Sequence, residues 1–261
     1  MTKTLLATAA LLVLLPAHAD ISVTSPSFTY SETFDSLSTS TTASPWVNDS
    51  TLTGWSLING AGAAVPTIVG GSGSSNTGSF YSFGAAGSTE RALGSAASGG
   101  AYFGSPASGA VAGWIALSLT NTSGGTLDSF TVGYRGEQWR NGGNTSPQSL
   151  VLEYGFGSSF GTVAGWTGLA IFTSPVVGAT AAAVDGNTAG LVSGLGGTVT
   201  APWAAGDTLW LRWSDLNDVG NDHGLAIDNV NVSVGVVPEP QAWALMLAGL
   251  AALGFIVRRR A

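Results

Sequence analysis

Between residues 27 and 235 the large apolar side chains come in short runs that alternate with polar ones, and glycine, asparagine and serine separate the runs. In "SFTVGYR", Phe130, Val132 and Tyr134 fall on one side of an extended chain. In "TLWLRW", Leu209, Leu211 and Trp213 face one way, Trp210 and Arg212 the other. A helix brings residues three and four apart to one face, so a two-residue period has to be strand. The same signature marks "SFTYSETFD", "GWSLIN", "SFYSFG", "AYFG", "GWIALSLTN", "SFTVGYRGEQW", "SLVLEYGF", "LAIFTSP", "TVTAPW", "DTLWLRWSD" and "LAIDNVNVSV". Within the body, residues 20–240, there is no helical pattern. The fold expected is therefore all-β: an antiparallel β-sandwich of the jelly-roll type over residues 20–234. Residues 60–79, "GAGAAVPTIVGGSGSSNTGS", read as a flexible loop, and 235–240 as a linker.

Glycine supplies 38 of the 261 residues, about twice the ordinary share. Disorder would explain so much glycine only if large apolar residues were scarce, and nine tryptophans and ten phenylalanines argue otherwise. The glycines belong to turns.

Both ends of the chain are apolar in a way that the body is not. Lys3 precedes "LLATAALLVLL", and "PAHA" follows with small residues at Ala17 and Ala19. Residues 1–19 are thus expected to be a secretory signal helix, handled by the Sec translocon and cut by signal peptidase after Ala19. At the other end Val237, Pro238, Glu239 and Pro240 form an extended joint, because two prolines withhold backbone donors. Residues 242–257 carry no charge; as a helix they span about 24 Å against a hydrocarbon core of about 30 Å. Arg258, Arg259 and Arg260 close the chain. This predicts a single transmembrane helix with its arginines in the cytoplasm, parked transiently in the inner membrane, and a body outside it.

The order Pro-Glu-Pro, apolar helix, arginine cluster over residues 235–261 resembles the PEP-CTERM sorting signal of Gram-negative bacteria. The resemblance implies recognition by an exosortase, cleavage near Pro238–Pro240 and release of the body to the cell surface or to an extracellular polymer.

Once both ends are removed, four bases remain (Arg91, Arg135, Arg140 and Arg212), and of fifteen acids only Glu239 is lost. So acidic a body cannot gain from counterion release at phosphates, which excludes nucleic acid as a partner of a basic patch. It suits a soluble exported protein, or one that takes up divalent cations. The chain has no cysteine, so its stability outside the cell has to come from buried apolar surface or from metal.

Few residues offer chemistry. "GSSFG" places Ser159 in a G-x-S-x-G frame, but that elbow works only where a strand turns into a helix, and the body holds a single histidine, His223. Glu137 and Glu153 lie on what read as neighbouring strands and could form a glycosidase pair; ion pairing of Glu137 with Arg135 or Arg140 is the simpler reading. Asp215, Asn217, Asp218 and Asp222 crowd a glycine-rich loop, where oxygen ligands could hold Ca²⁺ or cap the loop's own backbone. Asp228 alternates with Val230, Val232 and Val234, which would turn it inward and demand a partner such as Arg212 or a tryptophan N–H.

A second resemblance runs over residues 28–234. "STERALGS", "GEQWRNGG", "FTSP", "VDGN" and "LRWSDLNDVGNDHGLAID" are together similar to a β-rich ectodomain common among PEP-CTERM proteins. It implies that Arg91, Glu137, Trp139, Arg140 and the 215–228 loop, with Arg212 and Asp228, form a recurring framework; it carries no catalytic role. The function expected is a non-catalytic protein of the cell envelope or biofilm matrix. The alternatives are polysaccharide binding, through Trp139, Trp166, Trp203 or Trp210 if they form a platform, and secreted glycoside hydrolysis.

Overall fold

The computed structural model describes residues 21–235. The signal segment 1–19, the Val237–Pro240 joint, the apolar stretch 242–257 and the Arg258–Arg260 cluster lie outside the described residues. Among the described residues no helix is long and apolar enough to cross a membrane.

Fifteen strands run in chain order: β1 (Ile21–Val23), β2 (Thr29–Glu32), β3 (Ala43–Pro45), β4 (Trp55–Asn59), β5 (Thr67–Gly71), β6 (Ser79–Phe83), β7 (Ala92–Ala96), β8 (Val111–Asn121), β9 (Leu127–Asn141), β10 (Ser149–Phe156), β11 (Thr167–Thr173), β12 (Ala182–Ala183), β13 (Leu191–Trp203), β14 (Thr208–Leu216) and β15 (Gly224–Gly235). They build two sheets. The six-stranded sheet has the order β1-β8-β14-β10-β11, with β4 also on β8. The nine-stranded sheet has the order β12-β9-β15-β7-β6-β5-β3, with β13 also on β9 and β2 also on β15. Most pairs are antiparallel, but β1–β8 and β5–β6 are parallel, so both sheets are mixed.

The expected alternation packs the two sheets face to face. Leu209, Leu211 and Trp213 of β14 and Leu150 and Leu152 of β10 meet Phe130, Val132 and Tyr134 of β9 and Leu225 and Ile227 of β15 in one core. At its centre the Trp55 ring stacks on Trp213, with centroids 5.8 Å apart. Phe34 meets Trp55 edge-on at 4.9 Å, and Tyr134 meets Trp213 edge-on at 5.6 Å. Gly136 leaves room for Phe172: a Cβ there would stand 2.2 Å from the ring. Polar bonds also join the sheets: the Ser95 hydroxyl of β7 donates to Oδ2 of Asp215 on β14 at 2.5 Å, and Trp55 Nε1–H of β4 donates to the Tyr30 hydroxyl of β2 at 2.8 Å.

Three segments depart from the reading of the sequence. "AYFG" is a 3₁₀ turn, Ala101–Phe103, because Gly104 takes a left-handed φ of 80° and its N–H bonds back to Ala101 at 3.0 Å. Residues 60–79 are not simply a loop: they contain β5, and Val65 and Ile68 reach the core. The third departure shapes the outer face. β15 pairs on one side with β7 over Gly224–Ile227 and then with β2 over Val230–Ser233, leaving Asp228 and Asn229 between two partner strands. On its other side the β9 register slips there, from Asp228↔Arg135 to Asn231↔Gly133, and Asn229 sits at φ 49°. This bulge lets Ile227 and Val230 both face the core. Asp228 therefore points away from the valines, correcting the straight alternation read from sequence.

Trp55 is fully buried against Phe34 and Trp213. Trp55→Ala should cost about 3–5 kcal/mol, read as a lower midpoint in urea unfolding with an unchanged slope.

Candidate functional site

The bulge in β15 opens onto the outer face of the nine-stranded sheet, and acidic residues converge there. Asp228 comes from the bulge, Glu137 from β9, and Glu90 from the segment just before β7. One carboxylate oxygen of each lies within 4.8 Å of the other two. Arg91 N–H donates to Oδ1 of Asp35 at 3.0 Å, tying the segment before β7 to the one after β2. Glu137 and Asp228 are 0% and 2% exposed, and Glu90 is half-buried.

Each carboxylate has one neutral donor. Trp139 Nε1–H bonds Oε2 of Glu137 at 2.8 Å, Asn229 Nδ2 bonds Oδ2 of Asp228 at 2.5 Å, and Asn187 Nδ2 bonds Oε2 of Glu90 at 2.6 Å. Oε1 of Glu137 and Oδ1 of Asp228 are buried and accept no hydrogen bond among the described residues. Burial, above all, pushes the Glu137 carboxyl up to about 8; repulsion from Asp228 and Glu90 adds to this, while the Trp139 bond and the Arg135 charge oppose it. Asp228 is pushed up to about 7, again by burial first, with Glu90 and Asp35 adding and Asn229 and Arg135 opposing. Arg135 itself is exposed.

An aromatic ladder fixes the Trp139 donor. Tyr81, Phe83 and Trp139 stack in succession at 4.8 and 6.1 Å, and Gly186 lies so close that a Cβ there would stand 2.4 Å from the Trp139 ring. Arg140 and Arg91 are structural neighbours of this ladder. Arg140 donates to the carbonyls of Gly73 and Ser74 at 2.9 and 3.1 Å, and Arg91 to the hydroxyl and carbonyl of Ser82. Glu137 thus bonds Trp139, where an ion pair with Arg135 or Arg140 was expected.

The 215–222 residues take other partners. Besides the Asp215–Ser95 bond, Asn217 donates to Pro106 O at 3.0 Å and Asp218 N–H donates to Oδ1 of Asp222 at 2.7 Å. Burial raises Asp215 well above the usual carboxylate range; Ser95 opposes this, and Asp222 and Asp218 reinforce it.

Arg212 and Glu153 belong to the opposite, six-stranded sheet, on its outer face. Arg212 Nε donates to Oε2 of Glu153 at 2.7 Å, Ser214 adds a bond at 3.1 Å, and the guanidinium lies 3.9 Å from the Trp166 ring and 5.4 Å from Trp114. Two expectations fall here. Glu137 and Glu153 stand on outer faces on either side of the core, so they cannot flank one bond. Arg212 cannot be the partner of Asp228, for the same reason. Ser159 bonds Thr162 in a 3₁₀ turn, and His223 Nδ1 accepts Gly142 N–H at 3.0 Å. Of the expected platform residues, Trp139, Trp203 and Trp210 are buried and Trp166 is half-covered by Arg212.

Phe160 brings Trp114, Trp166 and Trp210 together, with centroids 5.6, 5.3 and 5.8 Å from its own. Trp114, Phe160 and Trp210 line a cleft of about 360 Å³ with Asn48, Ser158 and Ser159. Sequence reasoning missed Glu90, Asn187, Trp114 and Phe160. Glu90 carried no signal beyond its place beside Arg91, because strand pairing across 138 residues brings it to Asp228.

Residues 236–260 match the PEP-CTERM protein-sorting motif. The chain carries a PEP-CTERM sorting signal. That signal supports an exosortase substrate, exported as a membrane-anchored precursor and processed at the cell envelope. No curated protein matches the chain. Among solved structures it is similar to the CBM22-1–GH10 modules of the N-terminal endo-1,4-β-D-xylanase 10B of Clostridium thermocellum, complexed with xylohexaose. The identity is 10% and the TM-score 0.34; the match covers 76% of this chain and 29% of that one, so the chain spans less than a third of that protein. So slight a likeness carries no argument.

Arg212→Ala should uncover Trp166 and strand Glu153, costing about 1–3 kcal/mol with a red shift of tryptophan emission. Arg212→Lys should recover only part of that, since a lysine keeps the charge but not the planar stack. Urea unfolding followed by fluorescence reads both.

Proposed function

We propose that this PEP-CTERM protein is a non-catalytic constituent of the cell surface or extracellular matrix of a Gram-negative bacterium. On this reading the Sec translocon exports it, the tail holds it in the inner membrane by residues 242–257, and an exosortase releases the acidic sandwich. The sorting motif at residues 236–260 is the observation that carries the reading. The body fits such a role physically. With no cysteine and few exposed lysine or arginine side chains, it is a sandwich stabilised by apolar burial, suited to an oxidising, protease-rich exterior.

The test is processing in an exosortase-bearing host. The wild-type chain should yield an extracellular body lacking the C-terminal helix, whereas replacing Pro238, Glu239 and Pro240 together by alanine should leave an uncut precursor in the membrane fraction. A wild-type body recovered from the cytoplasm would overturn the proposal.

A second reading, polysaccharide binding, is favoured by the cleft beside Trp114 and Phe160, where aromatic rings adjoin the polar side chains of Asn48 and Ser159. A panel of exopolysaccharides should then include one retained by the wild-type chain and released by Trp114→Ala. Equal retention of both proteins would count against the cleft.

A further inference from the structure

Two buried carboxylate oxygens without a hydrogen-bond partner among the described residues lie beside the β15 bulge. An acid buried without a partner costs free energy, and here two sit side by side with a third carboxylate against them. Arg135 lends both a favourable charge, yet it is exposed and, among the described residues, hydrogen-bonds neither carboxylate. The neutral donors at Trp139, Asn229 and Asn187 each engage one oxygen of a carboxylate, and the second oxygens of Glu137 and Asp228 accept no hydrogen bond among the described residues.

We propose that Glu90, Glu137 and Asp228 hold a structural Ca²⁺ ion at the bulge of β15, locking β15 and β9 to the segment that leads into β7. Three oxygens within 4.8 Å of one another fit around one ion with bonds of about 2.3–2.6 Å. The donors are all carboxylate oxygens, the hard ligands Ca²⁺ prefers; no histidine or sulfur joins them. Ca²⁺ tolerates irregular shells of six to eight oxygens completed by water, whereas Mg²⁺ demands a near-ideal octahedron at about 2.1 Å. A groove of about 430 Å³ is lined in part by Glu32, Arg135 and Asn229, the last of these next to Asp228 in the chain. The position explains the need for an ion. Between β7 and β2 the sheet has no strand to pair Asp228 and Asn229, and a cation there bridges β15, β9 and the segment leading into β7 in place of the missing ladder.

The indole of Trp139, bonded to Glu137, is a built-in antenna for a bound lanthanide. Titrating Tb³⁺ into the purified full chain under tryptophan excitation should give saturable emission. Ca²⁺ should displace it and Mg²⁺ should do so poorly. Glu137→Gln and Asp228→Asn should each abolish the emission, Glu90→Gln should weaken binding about tenfold or more, and Asp218→Asn with Asp222→Asn should leave it intact. Melting separates this from a folding defect. In chelator the two buried amide variants should melt above the wild type, because they remove repulsion between buried acids; Ca²⁺ at about 100 Kd should raise only the wild type, by about 5–10 °C. Emission that is absent, or that survives both buried substitutions, overturns the proposal. So does a Ca²⁺-induced melting shift that is lost only when Asp218 and Asp222 are changed, which would put the ion in the 215–222 loop.

Discussion

Everything in this molecule follows from two sheets having to hide one face each. With no disulfide available, the stacked Trp55 and Trp213 and the edge-on rings of Phe34 and Tyr134 supply the contact that holds those faces together. Burying rings of this size removes far more apolar surface than aliphatic pairs would, and their edge-to-face packing adds a directional preference. The buried Asp215–Ser95 bond crosses between the same sheets, a polar tie that helps fix how one sheet sits on the other. Once the inner faces are committed, every second residue is delivered to one outer face or the other, and that is where the two polar assemblies arise.

Those assemblies differ in kind. On the six-stranded side Arg212 is matched: it has a carboxylate in its plane and an indole on its face, so charge and desolvation are both answered within the chain. On the nine-stranded side Glu137 and Asp228 are answered only in part, by neutral N–H groups, and burial holds both carboxyls up near neutrality. The contrast separates a surface that is finished from one whose chemistry asks for a further charge. Strand topology is its cause. A strand that changes partner from β7 to β2 along one edge needs a bulge, and the bulge turns an acid outward beside another.

Much of this architecture was readable in the sequence. "SLVLEYGF" corresponds to β10 residue for residue, and Phe130, Val132 and Tyr134 face the core as their spacing requires. What was not readable depended on pairing. β7, "ALGSA", carries small residues because Gly94 lies under the β15 backbone, where a Cβ would meet Leu225 O at 2.1 Å, so it gives no hydrophobic signal of its own. The two parallel pairings leave no local trace. Asp228 shows the limit most clearly, since a one-residue slip reversed its face while leaving the valine pattern intact. Glu137 and Trp139 were singled out by resemblance, but their mutual bond, and the arrival of Glu90 beside them, come from chain segments far apart in sequence.

The last strand has a mechanical consequence. β15 is interior to its sheet, antiparallel to β9 along one edge and to β7 and β2 along the other, and its final residues Val234 and Gly235 pair with Phe130 and Ser129. The sorting tail leaves from that end. A pull transmitted through the tail therefore acts along the strand axis and across its hydrogen bonds, loading the ladder in shear rather than peeling it one bond at a time. A domain tethered in this way hangs from a strand that is paired along both edges.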